Sequence, residues 1–174
     1  AKFANNWFVQ VFVLMKRQLA RWKRNPMSLG LIVIMYMISA LIIGLLYSNV
    51  QETNLAEQYT LSVTFTLDMF GVLAFLNIAT YSKERALYQR ESSAGYYYSS
   101  AYFVANTLLS SLVFFIITIG MCAIIFYLID YPTNNISHFG EYTLICYLNL
   151  IIFQSMIEWL SASFKDLDST LLVT

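Results

Sequence analysis

The apolar positions of this chain fall into long runs separated by short polar stretches. A helix needs about 20 mostly apolar residues to cross a hydrocarbon layer about 30 Å thick, and four runs are that long. Met27–Tyr47 carries no charge and follows Asn25-Pro26, a step where proline's fixed φ and missing N–H suit the first turn of a helix. Residues 59–81 hold one acid, Asp68; residues 102–128 are uncharged and longer than one crossing requires; residues 142–164 hold Glu158. Residues 170–174 open a fifth run. The pattern predicts an all-α, polytopic membrane domain with four spans and the start of another. Without an initiator Met or a cleavable leader, the expectation is an internal piece of a longer protein.

Two polar stretches have helical patterns of their own. Within residues 5–25, Phe8, Val11, Phe12, Met15, Leu19 and Trp22 recur at helical spacing opposite Asn6, Gln10, Arg17, Arg21 and Arg24. Such a helix lies flat on a bilayer, its apolar side among acyl chains and its arginines at lipid phosphates. It serves either as a plain surface anchor or as an elbow that also touches a cytosolic partner. Residues 82–95 form the second stretch, with Ser82 able to cap its start and Gly95 able to end it. Glu84 near its start suits the helix dipole. At about 18 Å this helix exceeds what a minimal hairpin needs; it presents charge to a cytosolic surface or is a solvated connector.

Composition narrows the class. The chain is 59% hydrophobic and 11% charged, against about 25% charged in soluble domains, which excludes a water-soluble globule. Ten basic side chains balance ten acidic ones, so nothing argues for nucleic acid as a partner. The placement of the bases is informative, because Lys and Arg stay on the cytosolic side of short loops. Lys2, Lys16, Arg17, Arg21, Lys23 and Arg24 precede the first span, Lys83, Arg85 and Arg90 lie between the second and third, and Lys165 follows the fourth. The other two loops, 48–58 and 129–141, carry only the acids Glu52, Glu57, Asp130 and Glu141. A cytosolic N-terminus satisfies every connection. Tyr47, Tyr59, Tyr81, Tyr131 and Tyr142 fall at span ends as an interfacial belt, and Asn135-Ile136-Ser137 is a candidate glycosylation site on the outer side.

An ionised carboxylate near mid-membrane costs about 2.5–3.5 kcal/mol, so Asp68 must face protein or water. Thr64, Asp68 and Gly71 share one helical stripe, and Gln154, Glu158 and Ser161 another. Each stripe either lines a cavity or packs helices through hydrogen bonds. Ala40 and Gly44 form a small-xxx-small pair suited to close helix contact. Cys122 and Cys146 lie singly inside apolar runs, which fits neither a disulfide framework nor a metal site. The chain has no phosphate loop, no His-Glu-x-x-His pair and no Gly-x-Ser-x-Gly elbow, and its one histidine, His138, reads as an outer surface residue. No catalytic residue, metal site or bound cofactor is predicted.

Several of these stretches, taken in order, carry a family likeness. Arg24-Asn25-Pro26, the span ending Ile42-Ile43-Gly44-Leu45-Leu46-Tyr47, Glu84-Arg85 through Arg90-Glu91, Gly95-Tyr96 and Ser100-Ala101-Tyr102-Phe103 resemble the membrane domain of G-subfamily ABC transporters. That group comprises White-type half transporters and pleiotropic-drug-resistance pumps. The resemblance implies that the first helix is the connecting or elbow helix and that Glu84 to Gly95 is a coupling helix resting on a nucleotide-binding domain. Glu84, Arg85, Arg90 and Glu91 would then transmit ATP-driven closure, through charge pairs with the elbow basics Arg17, Arg21 and Arg24 and with the ATPase surface. The second span would line a central cavity, with contact positions near Asp68, Met69 and Val72, and Phe65 matches a phenylalanine common there. Asn106, Ser110 and Val113 stand where the family often has a lysine, an acid and a proline, so a straighter third span is expected.

The resemblance also implies partners. These are the lipid bilayer, a nucleotide-binding domain that holds ATP and Mg outside this chain, and a second transporter half. The function implied is that of the translocating domain of an ATP-driven exporter of lipids, sterols or amphipathic xenobiotics, in the plasma membrane or an internal one. Two alternatives stand beside it. One is a four-span channel or scaffold without nucleotide coupling, with Asp68 and Glu158 lining a pore or packing a bundle; the other is an intramembrane enzyme using those acids.

Overall fold

The computed structural model describes residues 6–48, 55–131 and 136–163. All elements among them are helical: α1 (Trp7–Arg24), α2 (Pro26–Tyr47), α3 (Leu55–Ala74), a 3-10 turn (Phe75–Asn77), α4 (Ile78–Ser93), α5 (Ser99–Ile129) and α6 (Ile136–Ser163). Asn135 of the glycosylation sequon, Lys2, Lys165 and the run 170–174 lie outside the described residues.

Local chemistry sets the helix ends. The Asn6 side chain accepts from the Trp7 backbone N–H at 2.8 Å, satisfying one of the donors a helix start leaves open. Asn25 closes α1, and Pro26 takes the first position of α2. Gly95 ends α4 at φ +70°, where a side chain would be strained, and the Tyr96 N–H reaches back to the Glu91 carbonyl. The start of α4 differs from the sequence reading. No break occurs at Ser82; the helix begins at Ile78, directly after the 3-10 turn. The apolar run and the charged stretch thus form one nearly continuous rod with a tightened turn inside it. Helix propensity on both sides of residue 82 is enough to carry the backbone through without a cap.

Among the described residues, three helices have the length and apolarity to cross a membrane on their own, within Leu29–Tyr47, Ser99–Ile129 and His138–Ser161. The fourth apolar stretch, Tyr59–Ala74, covers about 24 Å at 1.5 Å per residue, so a full crossing would use the 3-10 turn and the first turn of α4. α5 runs as one α-helix for 31 residues, with no break at Val113.

α2 and α1 both pack on α5, α6 packs on α3 and α5, and α4 packs on α6. In lipid the apolar effect does not drive helices together, so close packing and hydrogen bonds hold the bundle. Tyr36, Ala40 and Ile43 give α2 a buried stripe that meets Phe114, Ile117, Met121 and Ile125 of α5. Where these two helices come closest, a Cβ on Gly44 would sit 2.8 Å from Leu128 Cβ, so the crossing requires a glycine. The outward faces stay apolar: Leu31, Ile38 and Leu45 on α2 and Leu112 and Ile116 on α5 are exposed. A lipid solvent explains such a surface; water does not.

Candidate functional site

The polar features gather on α1, α3 and α4. On α1, Phe8 and Phe12 are exposed as a lipid-facing stripe would be. The opposite side is only in part free to meet lipid phosphates, however: Arg24 is exposed, but Gln10 and Gln18 are not. Gln10, Leu14 and Gln18, four residues apart and on one edge of the helix, are buried against the start of α5 and against α4. Arg17 and Arg21 share that edge and turn toward acids of α4, forming charge pairs of the kind the family resemblance implies in place of contacts at a lipid surface. Arg17 Nη1 donates to Glu91 Oε1 at 2.8 Å, Gln18 Nε2 donates to Glu84 Oε1 at 2.8 Å, and Arg21 Nη1 lies 3.7 Å from the same Glu84 oxygen. Tyr97 OH donates to the other oxygen of Glu91 at 2.7 Å, and the Arg17 guanidinium sits 5.8 Å from the Tyr97 ring centre.

α1 and α4 are thus pinned at two points two helical turns apart. Gln10 and Trp7 extend the contact: Gln10 Oε1 accepts from the Tyr98 N–H and Trp7 Nε1 donates to Ser100 Oγ. Partial burial alone would raise the Glu91 carboxyl, but the hydrogen bonds from Arg17 and Tyr97 and the charges of Arg17 and Arg21 outweigh it and hold it below the ordinary carboxylate value. Burial would likewise lower the Arg17 guanidinium, and the bond and charge of Glu91 reverse that. Burial and the bond to Glu91 push the Tyr97 hydroxyl up. Arg17 is 38% exposed, so solvent screening limits the Arg17–Glu91 pair to about 1 kcal/mol.

The remaining candidates separate. Arg85 turns away from α1 and donates to the Ser161 carbonyl of α6 at 2.7 Å. Arg24 and Arg90 are exposed and form none of the ion pairs among the described residues. On α3, Asp68 and Val72 lie on an exposed face with Leu61 and Thr64, whereas Phe65 and Met69 lean into the bundle, Phe65 with its ring 6.2 Å from that of Tyr47. Asp68 therefore lies on a face that no helix among the described residues covers, and the cost of an acid against lipid requires protein or water there.

Two sites carry chemistry that the sequence reading did not assemble. A cavity of about 460 Å³ lies between α4, the start of α5 and the end of α6, with Glu84, Arg85, Tyr88, Tyr102 and Glu158 in its wall. Tyr81 stands in the same wall as Glu158. At the opposite end of the bundle Tyr59 and Phe126 stack on Tyr131 at 4.8 and 5.1 Å, Ser62 hydrogen-bonds Tyr131, and Tyr142 OH reaches Thr66 Oγ1 at 3.3 Å. Tyr81 and Tyr142, expected in a headgroup belt, are buried instead, Tyr81 packed with Ile157 of α6 and Tyr142 with its hydroxyl at Thr66 of α3. Cys122 and Cys146 are both buried and free, and His138 is exposed, 3.9 Å from Glu141.

Comparison with known proteins agrees with this arrangement. Residues 9–174 match the family described as ABC-2 type transporter. ABC transporter G family member 17 of Arabidopsis thaliana is 22% identical over 173 residues, which is 99% of this chain and 26% of that protein. Member 21 of the same plant is 32% identical over 61% of this chain and 16% of its own length. G family member 5 of Dictyostelium discoideum is 29% identical over 63% of the chain and 7% of its own. The chain thus spans about a quarter or less of the relatives it matches. A multi-pass helical bundle and a match over nearly its whole length establish that this chain belongs to the ABC-2 type transporter family, as a membrane domain of the kind found in G-type ABC transporters.

Proposed function

We propose that this chain is the translocating membrane domain of an ATP-driven exporter and that α4, braced by α1, receives the motion of a nucleotide-binding domain. The observation that carries this reading is the double pin of Arg17 to Glu91 and Gln18 to Glu84. A short helix bound at two points to an interfacial helix, and continuous through one tight turn with α3, moves as a lever and not as a loose loop. Displacement of α4 at the cytosolic boundary would swing α3, whose uncovered Asp68–Val72 face would form one wall of a path shared with a second transporter half. Tighter ATP binding in one of the two conformations would supply the bias between them. ATP and Mg would sit on the nucleotide-binding domain, outside this chain. Apolar walls with few fixed polar groups suit lipids, sterols or amphipathic xenobiotics as cargo.

The test is Glu84→Ala in the full-length protein reconstituted in vesicles. ATP hydrolysis should continue while transported cargo per ATP falls about tenfold; a ratio equal to that of the wild type would remove α4 from the coupling path.

A further inference from the structure

The cavity between α4, α5 and α6 has a wall chemistry that the lever role does not use. Its volume, about 460 Å³, lies within the range of small-molecule sites. Glu158 contributes a carboxylate beside Tyr81, and among the described residues no basic side chain forms an ion pair with it. Glu84, also in the wall, is already shared between Gln18 and Arg21. The one cation among the described wall residues, Arg85, donates to the Ser161 carbonyl. Tyr88 and Tyr102 stack at 4.8 Å on one side, and Phe103, 63% exposed, forms an apolar lip toward the surrounding lipid.

The geometry points to a binding site for a protonated amphiphilic amine drawn from the membrane. Its ammonium group would bond Glu158 beside the Tyr88–Tyr102 stack, and its hydrocarbon body would lie over Phe103. A carboxylate in no ion pair among the described residues, set among aromatic rings, favours an ammonium group over water, because ion pairing and ring quadrupole act together where solvent is scarce. An anionic amphiphile would meet Glu158 and Glu84 as like charges, and a neutral one would leave Glu158 without a counter-ion. The site is separate from the Asp68 face of α3 and holds whether or not that face carries cargo.

Equilibrium binding of tritiated dodecylamine to the full-length protein in lipid nanodiscs, without ATP and corrected with empty discs, tests the site. Dodecanol is the neutral comparison. Glu158→Gln should weaken amine binding about tenfold and leave dodecanol within about twofold. Phe103→Ala, at an exposed position that the fold does not depend on, should weaken the amine about threefold and decides the matter if Glu158→Gln does not insert. Amine binding unaltered in Phe103→Ala and in any folded Glu158→Gln protein, or dodecanol held as tightly as the amine by the wild type, would overturn the proposal. No transport is read, so failure here is distinct from failure of the lever.

Discussion

Arg17 of α1 and Glu91 of α4, 74 positions apart in the chain, share a 2.8 Å charge-assisted hydrogen bond, and the Tyr97 hydroxyl bonds the other oxygen of the same carboxylate. Replacing either side alone strands a partly buried partner. Arg17→Ala and Glu91→Gln should each cost about 1 kcal/mol, and the double variant less than their sum by about 0.5–1 kcal/mol. Unfolding in mild detergent measures both; strict additivity would mean that the pair contributes nothing.

The same pair gives a pH dependence with a definite sign. Glu91 in the folded protein lies below its ordinary value, so its contribution is present in full above the unfolded carboxylate value of about 4.3. That contribution is lost as pH falls through the depressed folded value. Wild-type stability should therefore decline more steeply than that of Glu91→Gln below about pH 4.3. Parallel pH profiles would contradict the assignment.

The crossing of α2 and α5 at Gly44 leaves no room for a methyl group, with Leu128 Cβ 2.8 Å from where a Cβ would stand. Gly44→Ala should destabilise by about 1–3 kcal/mol, and adding Leu128→Ala should recover part of that loss. Thermal unfolding of the single and double variants checks it; a Gly44→Ala protein as stable as the wild type would mean that the helices separate freely at this point.

Gln154 is 6% exposed, and neither end of its amide has a partner among the described residues. A leucine of similar volume removes a buried polar group without leaving a cavity. Gln154→Leu should be neutral or stabilising by about 1 kcal/mol. A comparable loss of stability on unfolding in detergent would show that the amide is bonded in the assembled protein.

Asp68 lies on the uncovered face of α3 beside Val72. If that face borders the cargo path, Asp68→Asn should leave insertion and thermal stability near wild type and shift cargo affinity or selectivity severalfold. An expression defect with unaltered affinity in the protein that does fold would assign Asp68 to packing.

Much of the fold was legible because apolar run length and the Asn25-Pro26 and Gly95 signals are local properties of the chain. The side of α1 that meets protein was not. Its apolar stripe of Phe8 and Phe12 marks the lipid face, but the buried edge carries two glutamines, and hydropathy gives no hint that Gln10 and Gln18 have partners 66 or more residues away. Ser82 has the chemistry of a cap, yet nothing local requires the chain to leave the helix there. Tyr81 and Tyr142 suited a headgroup belt because an amphipathic ring at a span end fits both lipid and a neighbouring helix; only the tertiary partners, Ile157 and Thr66, separate the two. The Glu158 cavity combines three helices, and its aromatic wall and the Glu158 carboxylate come together only on folding.

The most direct measurement is the sidedness of α4. Ser93 ends that helix and is exposed. In the full-length protein with its other cysteines replaced, Ser93→Cys can be exposed to a membrane-impermeant maleimide in sealed vesicles of each orientation. Labelling from the cytosolic face alone is the expected result, and labelling only from the opposite face would contradict both the topology and any contact between α4 and a nucleotide-binding domain.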